Sequence, residues 1–122
     1  MNLAAEDLKI LNREVLLGFW KVHILHHAAQ GPLVGQWMLT ELRHHGYEVS
    51  PGTLYPMLQR MESNGWLHSE VDPQRGPKAP RKYYLTPKGR EILAYISGQV
   101  DELARELKEE NHRDSCQYQP SK

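Results

Sequence analysis

The chain has little of what most chemistry needs. It carries one cysteine in 122 residues, Cys116, in a polar stretch near the C-terminus. A single cysteine excludes a disulfide framework and a thiolate metal centre within the chain. There is no glycine-rich phosphate loop, no nucleophile elbow and no carboxylate pair spaced for acid–base work. An enzyme is therefore not expected, and neither is a cofactor. Ser50 and Thr53 read as helix caps, not nucleophiles. The longest apolar run, Val15 to Trp20, stops at Lys21, far short of the roughly 20 residues a membrane-spanning helix needs. Glu6, Asp7 and Lys9 interrupt the opening residues, so no secretion signal is expected. A cytoplasmic protein without membrane contact is expected. Formal net charge is zero, from 15 basic and 15 acidic residues, so any polyanion binding has to come from local charge. An apolar share of 39% allows a small core, which a partner subunit would enlarge.

What is there is organised around Ser50 to Gly65, S-P-G-T-L-Y-P-M-L-Q-R-M-E-S-N-G. Ser50 is a candidate N-cap, with Pro51 in the first helical position where its missing N–H costs nothing. Leu54, Met57, Leu58 and Met61 follow the i, i+3, i+4, i+7 pattern of a buried stripe. Asn64-Gly65 supplies a left-handed stop. The opposite face carries Thr53, Tyr55, Gln59, Arg60 and Ser63, groups that donate to phosphates and base edges. Pro56 is deep for a helix capped at Ser50, where it would lose the bond to the Gly52 carbonyl. Either the helix bends there or its cap is Thr53.

Upstream, residues 1–11 read as a short helix or a docked arm, and Asn12 as the cap of a helix over Arg13 to Gln30. Its apolar positions Leu16, Leu17, Trp20, Ile24, Leu25 and Ala28 are widened by Phe19 and Val22. Such a stripe packs on two sides. Gly31-Pro32 ends that helix. A second one is expected from about Val34 to His45, with Trp37, Met38 and Leu42 inward and Gly46 at its end. Tyr47 to Val49 is extended. Three helices with tight connectors, the third presenting a polar face, outline a helix-turn-helix.

Downstream, Trp66, Leu67 and Val71 mark one strand and Arg81 to Leu85 another. Asp72 to Pro80 holds three prolines and a glycine and reads as loop alone. The pair forms a wing. Thr86-Pro87 restarts helix to about Glu110, with Leu93, Ile96, Val100, Leu103 and Leu107 at alternating spacings of 3 and 4, a heptad seam. An unpaired seam of that length would expose a large apolar patch, so dimerisation is favoured over folding back on the chain's own domain. The fold class is mainly α with a small β wing (α+β): an arm over 1–11, a winged helix-turn-helix over 12–86 and a dimerisation helix over 87–110. Residues 111–122 are polar and aperiodic and are expected to be disordered.

Charge is segregated along this layout. Asp72 to Arg90 holds one acid against Arg75, Lys78, Arg81, Lys82, Lys88 and Arg90. Glu91 to Glu110 holds six acids against Arg105 and Lys108. A basic wing beside a polar helix face is suited to phosphate contact, and an acidic last helix keeps DNA off the wrong surface.

The run from Gly31-Pro32 to Glu41-Leu42, then S-P-G-T-L-Y-P-M-L-Q-R-M-E, G-W-L and R-K-Y-Y-L-T-P-K-G, resembles the PadR family of bacterial transcriptional regulators. The resemblance covers about residues 12–110. It implies a winged helix-turn-helix, a homodimer made through the C-terminal and first helices, and binding to palindromic double-stranded DNA operators. Many members are repressors released by a small ligand, phenolic acids in the namesake case. The single short C-terminal helix is similar to the smaller subgroup. On this chain the family's recognition-helix tyrosine is Tyr55, the threonine near the helix start is Thr53, and the basic pair opening the second wing strand is Arg81-Lys82. Of Tyr83 and Tyr84, one faces the core, since strands alternate. Drug-binding members of the subgroup use a tryptophan on the dimer helix; here Tyr95 is the only aromatic there.

The expected DNA-binding residues are thus Ser50, Thr53, Tyr55, Gln59, Arg60, Arg75, Lys78, Arg81 and Lys82. The expected dimer interface is Leu16, Trp20, Leu93, Ile96, Val100, Leu103 and Leu107. Phe19, Trp20, His23 and Tyr95 are candidates to line a pocket for a small aromatic or other hydrophobic effector, although packing of the dimer core explains them as well. Two other readings stay open. A winged-helix module could bind protein without DNA, as zero net charge and the acidic last helix suggest. A metal-responsive regulator could use the histidines of the first helix: His23 and His27 stand four apart, His26 adjoins them, and His44-His45 ends the second helix. Against that reading, no cysteine or carboxylate is placed in sequence to complete a site.

Overall fold

The structure is a computed structural model and describes residues 3–112. The N-terminal residues form a helix, α1 (Ala5–Leu11), that does not end where the following one begins. It runs through a π turn, Asn12–Leu16, into α2, Leu17–Gln30. Asn12 is therefore not a cap: its φ/ψ of −58/−46° are helical. The π turn absorbs one extra residue, a local widening of the ladder, without stopping the helix. Trp20, Ile24, Leu25 and Ala28 turn into the core as their spacing requires.

Gly31-Pro32 breaks the helix, and two residues, β1 (Leu33–Val34), follow. No periodicity could reveal a strand that short. Helix α3 spans Gly35–His44 and buries Met38, Leu39 and Leu42. Trp37 is not inward as expected; it is 49% exposed, because the stripe is centred on Met38 and Leu42. Its ring instead meets His27 edge-on at 5.1 Å between centroids. Gly46, at φ 93°, turns the chain, and Val49 is buried just before α4.

Helix α4 spans Pro51–Ser63 with Pro56 inside it. The helix thus starts at Pro51, and Ser50 is its N-cap residue. Ser50 caps through its carbonyl, which accepts from Leu54 N–H at 3.0 Å. Its hydroxyl makes no bond to the helix backbone and donates to the Thr53 hydroxyl at 3.3 Å. Leu54, Met57, Leu58 and Met61 are all buried. The helix ends in a Schellman arrangement: Gly65, at φ 82°, donates to Glu62 O, and Trp66 N–H to Met61 O.

Strands β2 (Leu67–Val71) and β3 (Arg81–Leu85) pair antiparallel, with Ser69 opposite Tyr83 and Glu70 opposite Lys82. β1 adds to the other side of β3, giving the order β1-β3-β2. Tyr83 is the tyrosine that faces the core. The wing segment is not loop alone: Pro73–Arg75 form a 3₁₀ turn capped by Asp72, whose carboxylate accepts from Gln74 N–H.

Helix α5 runs from Pro87 to His112. Residues 111 and 112, expected in a disordered tail, are its last turn; the rest of that tail, 113–122, lies outside the described residues. Thr86 caps α5 by accepting from Gly89 N–H at 2.9 Å. Its hydroxyl also donates to the Gly65 carbonyl at 2.6 Å. Gly89 itself lies against the Trp66 carbonyl, where an added Cβ would collide with backbone. One junction therefore locks the end of α4, the wing and the start of α5 together. Ile92, Leu93 and Ile96 pack on the core built by α2, α3 and α4. No helix among the described residues is long and apolar enough to cross a membrane.

Candidate nucleic-acid interface

The outward face of α4 is the converse of its buried one. With Leu54, Met57, Leu58 and Met61 held in the core, Gln59, Arg60 and Ser63 are exposed and Thr53 is half-buried. Tyr55 is exposed at its edge, and its ring rests on the start of α3 at Gly35. Among the described residues, the side chains of Gln59, Arg60, Arg75, Lys78 and Lys82 make no hydrogen bond or ion pair. Their donors are free for a ligand.

The basic pair Arg81-Lys82 is not equivalent in the fold. Strand alternation sends the two side chains to opposite faces. Arg81 turns to the face of Ser69 and donates to its hydroxyl at 3.1 Å. Ser69 in turn donates to the Glu62 carboxylate at 2.8 Å, and its N–H donates there at 2.9 Å. This network ties β2 to the last turn of α4 and holds one arm of Arg81. Lys82 stands on the other face, opposite Glu70 in the register. Burial pushes the Tyr83 phenol above its ordinary pKa.

A second feature is a groove of about 520 Å³ between α2 and α5, walled by Phe19, Val22 and His23 on one side and Leu93, Val100 and Leu107 on the other. Phe19 and His23 line it. Trp20 and Tyr95, expected with them, do not. Trp20 is 2% exposed and packs edge-on against Tyr47 at 5.9 Å. It sits one step round the helix from Phe19, so it cannot also form an open interface. Tyr95 is 70% exposed and points away from the groove. Leu16, Leu93 and Ile96 are partly buried on the chain's own core. Val100, Leu103 and Leu107 are 49%, 52% and 56% exposed.

The third feature is one that sequence reasoning could not assemble. His23 and His27 of α2 face His45 at the end of α3, with one ligand atom from each lying within 4.8 Å of the others. Glu41, one turn before His45, reaches His45 Nε2 at 3.1 Å and His27 Nε2 at 3.7 Å. Burial, then the neighbouring imidazoles, pushes His23 below the usual histidine pKa, and His27 likewise. The carboxylate missing from the sequence pattern is supplied by a different helix, which no spacing rule could pair with His23 and His27.

Residues 24–95 match the model of the transcriptional regulator PadR-like family. The chain is 49% identical over 87 residues to a transcriptional regulator of Mycobacterium tuberculosis, covering 71% of this chain and 80% of that one. Among solved structures it is similar to a PadR-like transcriptional regulator of Bacillus cereus, with a TM-score of 0.72 and 25% identity over 83% of this chain and 99% of that one. It is also similar to a PadR family transcriptional regulator of Eggerthella lenta, with a TM-score of 0.67 and 26% identity over 90% of this chain and 100% of the other. With its winged helix-turn-helix, its exposed polar helix face and its basic wing, the chain belongs to the PadR-like family of transcriptional regulators.

Proposed function

We propose that the protein is a repressor that binds a palindromic operator as a homodimer, with one winged-helix unit over 12–86 and a pairing helix over 87–110. The observation that carries the reading is the exposed face of α4 beside a basic wing whose Arg75, Lys78 and Lys82 side chains make no internal bond among the described residues, with the other face of α4 fixed in the core. Thr53, Tyr55, Gln59 and Arg60 enter the major groove, while Ser50 and the helix start meet a phosphate. Arg75, Lys78 and Lys82 follow the backbone, and Arg81 does so with the donors that Ser69 leaves free. The exposed Val100, Leu103 and Leu107, with Phe19 across the groove, pair with the same surface of a second copy. Leu16, Leu93 and Ile96 support that seam from below, and Trp20 acts only as core. A small hydrophobic effector enters what remains of the groove beside Phe19 and His23. In this arrangement two recognition helices meet half-sites about 34–36 Å apart.

In vitro selection of bound DNA, followed by mobility shifts at rising salt and a reporter assay, tests the proposal. The expected result is an inverted repeat one turn apart, affinity that falls steeply with salt, and a reporter that is silenced. A salt-insensitive shift, or none, overturns DNA binding and leaves a protein-interaction module in its place.

A further inference from the structure

The histidine cluster is built from α2 and α3 and takes no part in the DNA contacts proposed above; of its members only His23 also borders the groove. Two i, i+4 pairs, one from each of two packed helices, face each other: His23 and His27 on α2, Glu41 and His45 on α3 and its C-cap. His23 and His27 stack nearly parallel, with ring centroids 6.5 Å apart and 13° between planes. The His45 ring closes on His23 at 5.1 Å. Tyr47 and Trp37 wall the site on two sides, with ring centroids 5.5 Å from His23 and 5.1 Å from His27. The site is open to solvent through His45, whose side chain is 43% exposed.

We infer that His23, His27 and His45, with Glu41, form a binding site for one divalent transition-metal ion of the zinc class. Three imidazoles and a carboxylate make a nitrogen-rich donor set that suits zinc, cobalt or nickel and not calcium or magnesium. Metal–nitrogen bonds of about 2.0–2.1 Å bring tetrahedral ligand atoms to about 3.4 Å from one another. The present spread is within 4.8 Å, so ligation draws the three side chains inward. Glu41 now contacts Nε2 of His45 and of His27. On ligation its carboxylate moves from those nitrogens to the ion as the fourth ligand, and offsets half of the ion's charge. A bound ion ties α2 to the end of α3, the helix that precedes α4.

Untagged protein, stripped with a chelator, is titrated with cobalt(II) and followed by its visible absorption, then back-titrated with zinc. No DNA is present, so the outcome is independent of the DNA-binding proposal. The expected result is one equivalent per chain, with the intense bands of four-coordinate cobalt, displaced by zinc. His27→Ala and the exposed His45→Ala each weaken binding at least ten-fold, and Glu41→Gln weakens it by about ten-fold. His26→Ala and His44→Ala, neighbours outside the cluster, bind as the parent does. Far-UV circular dichroism shows that each variant is folded; if His27→Ala is not, His45→Ala alone decides. Binding unaffected by His45→Ala, or weak uptake of several equivalents per chain, overturns the inference.

Discussion

The ring of Tyr55 on α4 occupies the space where residue 35 would carry a side chain. A Cβ built on Gly35 falls 2.5 Å from Tyr55 Cε1 and 3.1 Å from Cζ. The glycine at the first position of α3 thus seats the tyrosine of α4. Gly35→Ala forces the ring away and is expected to cost about 1–3 kcal/mol, the usual range for overpacking. In a Tyr55→Ala background the same change is expected to be neutral or slightly stabilising, since alanine is the better helix former. Urea denaturation of the four proteins measures the coupling. Equal costs in both backgrounds would contradict the seat.

Thr86 joins three elements through one hydroxyl. Thr86→Val removes the cap of α5 and the donor to the Gly65 carbonyl. The expected loss is about 0.5–2 kcal/mol. Thr86→Ser keeps the hydroxyl and is expected to retain most of the stability. Thermal melts of both variants test this, and a Val variant as stable as the Ser variant would refute it.

Lys78 and Lys82 stand free on the wing, whereas Arg81 is partly held by Ser69. Lys78→Ala with Lys82→Ala is expected to lower affinity for all DNA sequences alike. The slope of log K against log salt should flatten by about 0.9 for each phosphate left without its lysine, or about 2 per protomer. An unchanged slope for the double variant would remove these lysines from the interface.

Leu103 is half exposed on α5 in a single chain. Placing a charge there is expected to split the proposed dimer, because a buried leucine contributes about 1.5–3 kcal/mol and an unpaired buried charge costs more. Light scattering after size exclusion is expected to give dimer mass for the parent and monomer mass for Leu103→Glu. A variant that stays dimeric places the seam elsewhere.

Much of the fold is legible because its signals are local. Ser50-Pro51 and Thr86-Pro87 mark helix starts, Asn64-Gly65 marks a stop, and Leu54, Met57, Leu58 and Met61 mark one face. Each depends on residues within a turn or two of one another. The errors fall where a residue's neighbour in space is remote in sequence. Trp20 and Phe19 both fit a broad apolar stripe, and only packing against Tyr47 assigns Trp20 to the core. Trp37 is apolar and near the stripe of α3, yet the stripe is filled by Met38, Leu39 and Leu42. Asn12 is a different case, a local one: it has the chemistry of a cap, but the helix continues through a π turn.

By itself the sequence determined helices α2 to α5, the two longer strands of the wing, the charge segregation and the polar face of α4, since periodicity, capping chemistry and strand alternation act over a few residues. The tertiary structure alone decided that Arg81 turns to Ser69 while Lys82 does not, that Tyr55 needs Gly35 beneath it, and that Glu41 and His45 meet His23 and His27. Those contacts join α3 to α2 and α4, and the wing to the last turn of α4. They depend on how whole elements pack, which no local pattern encodes.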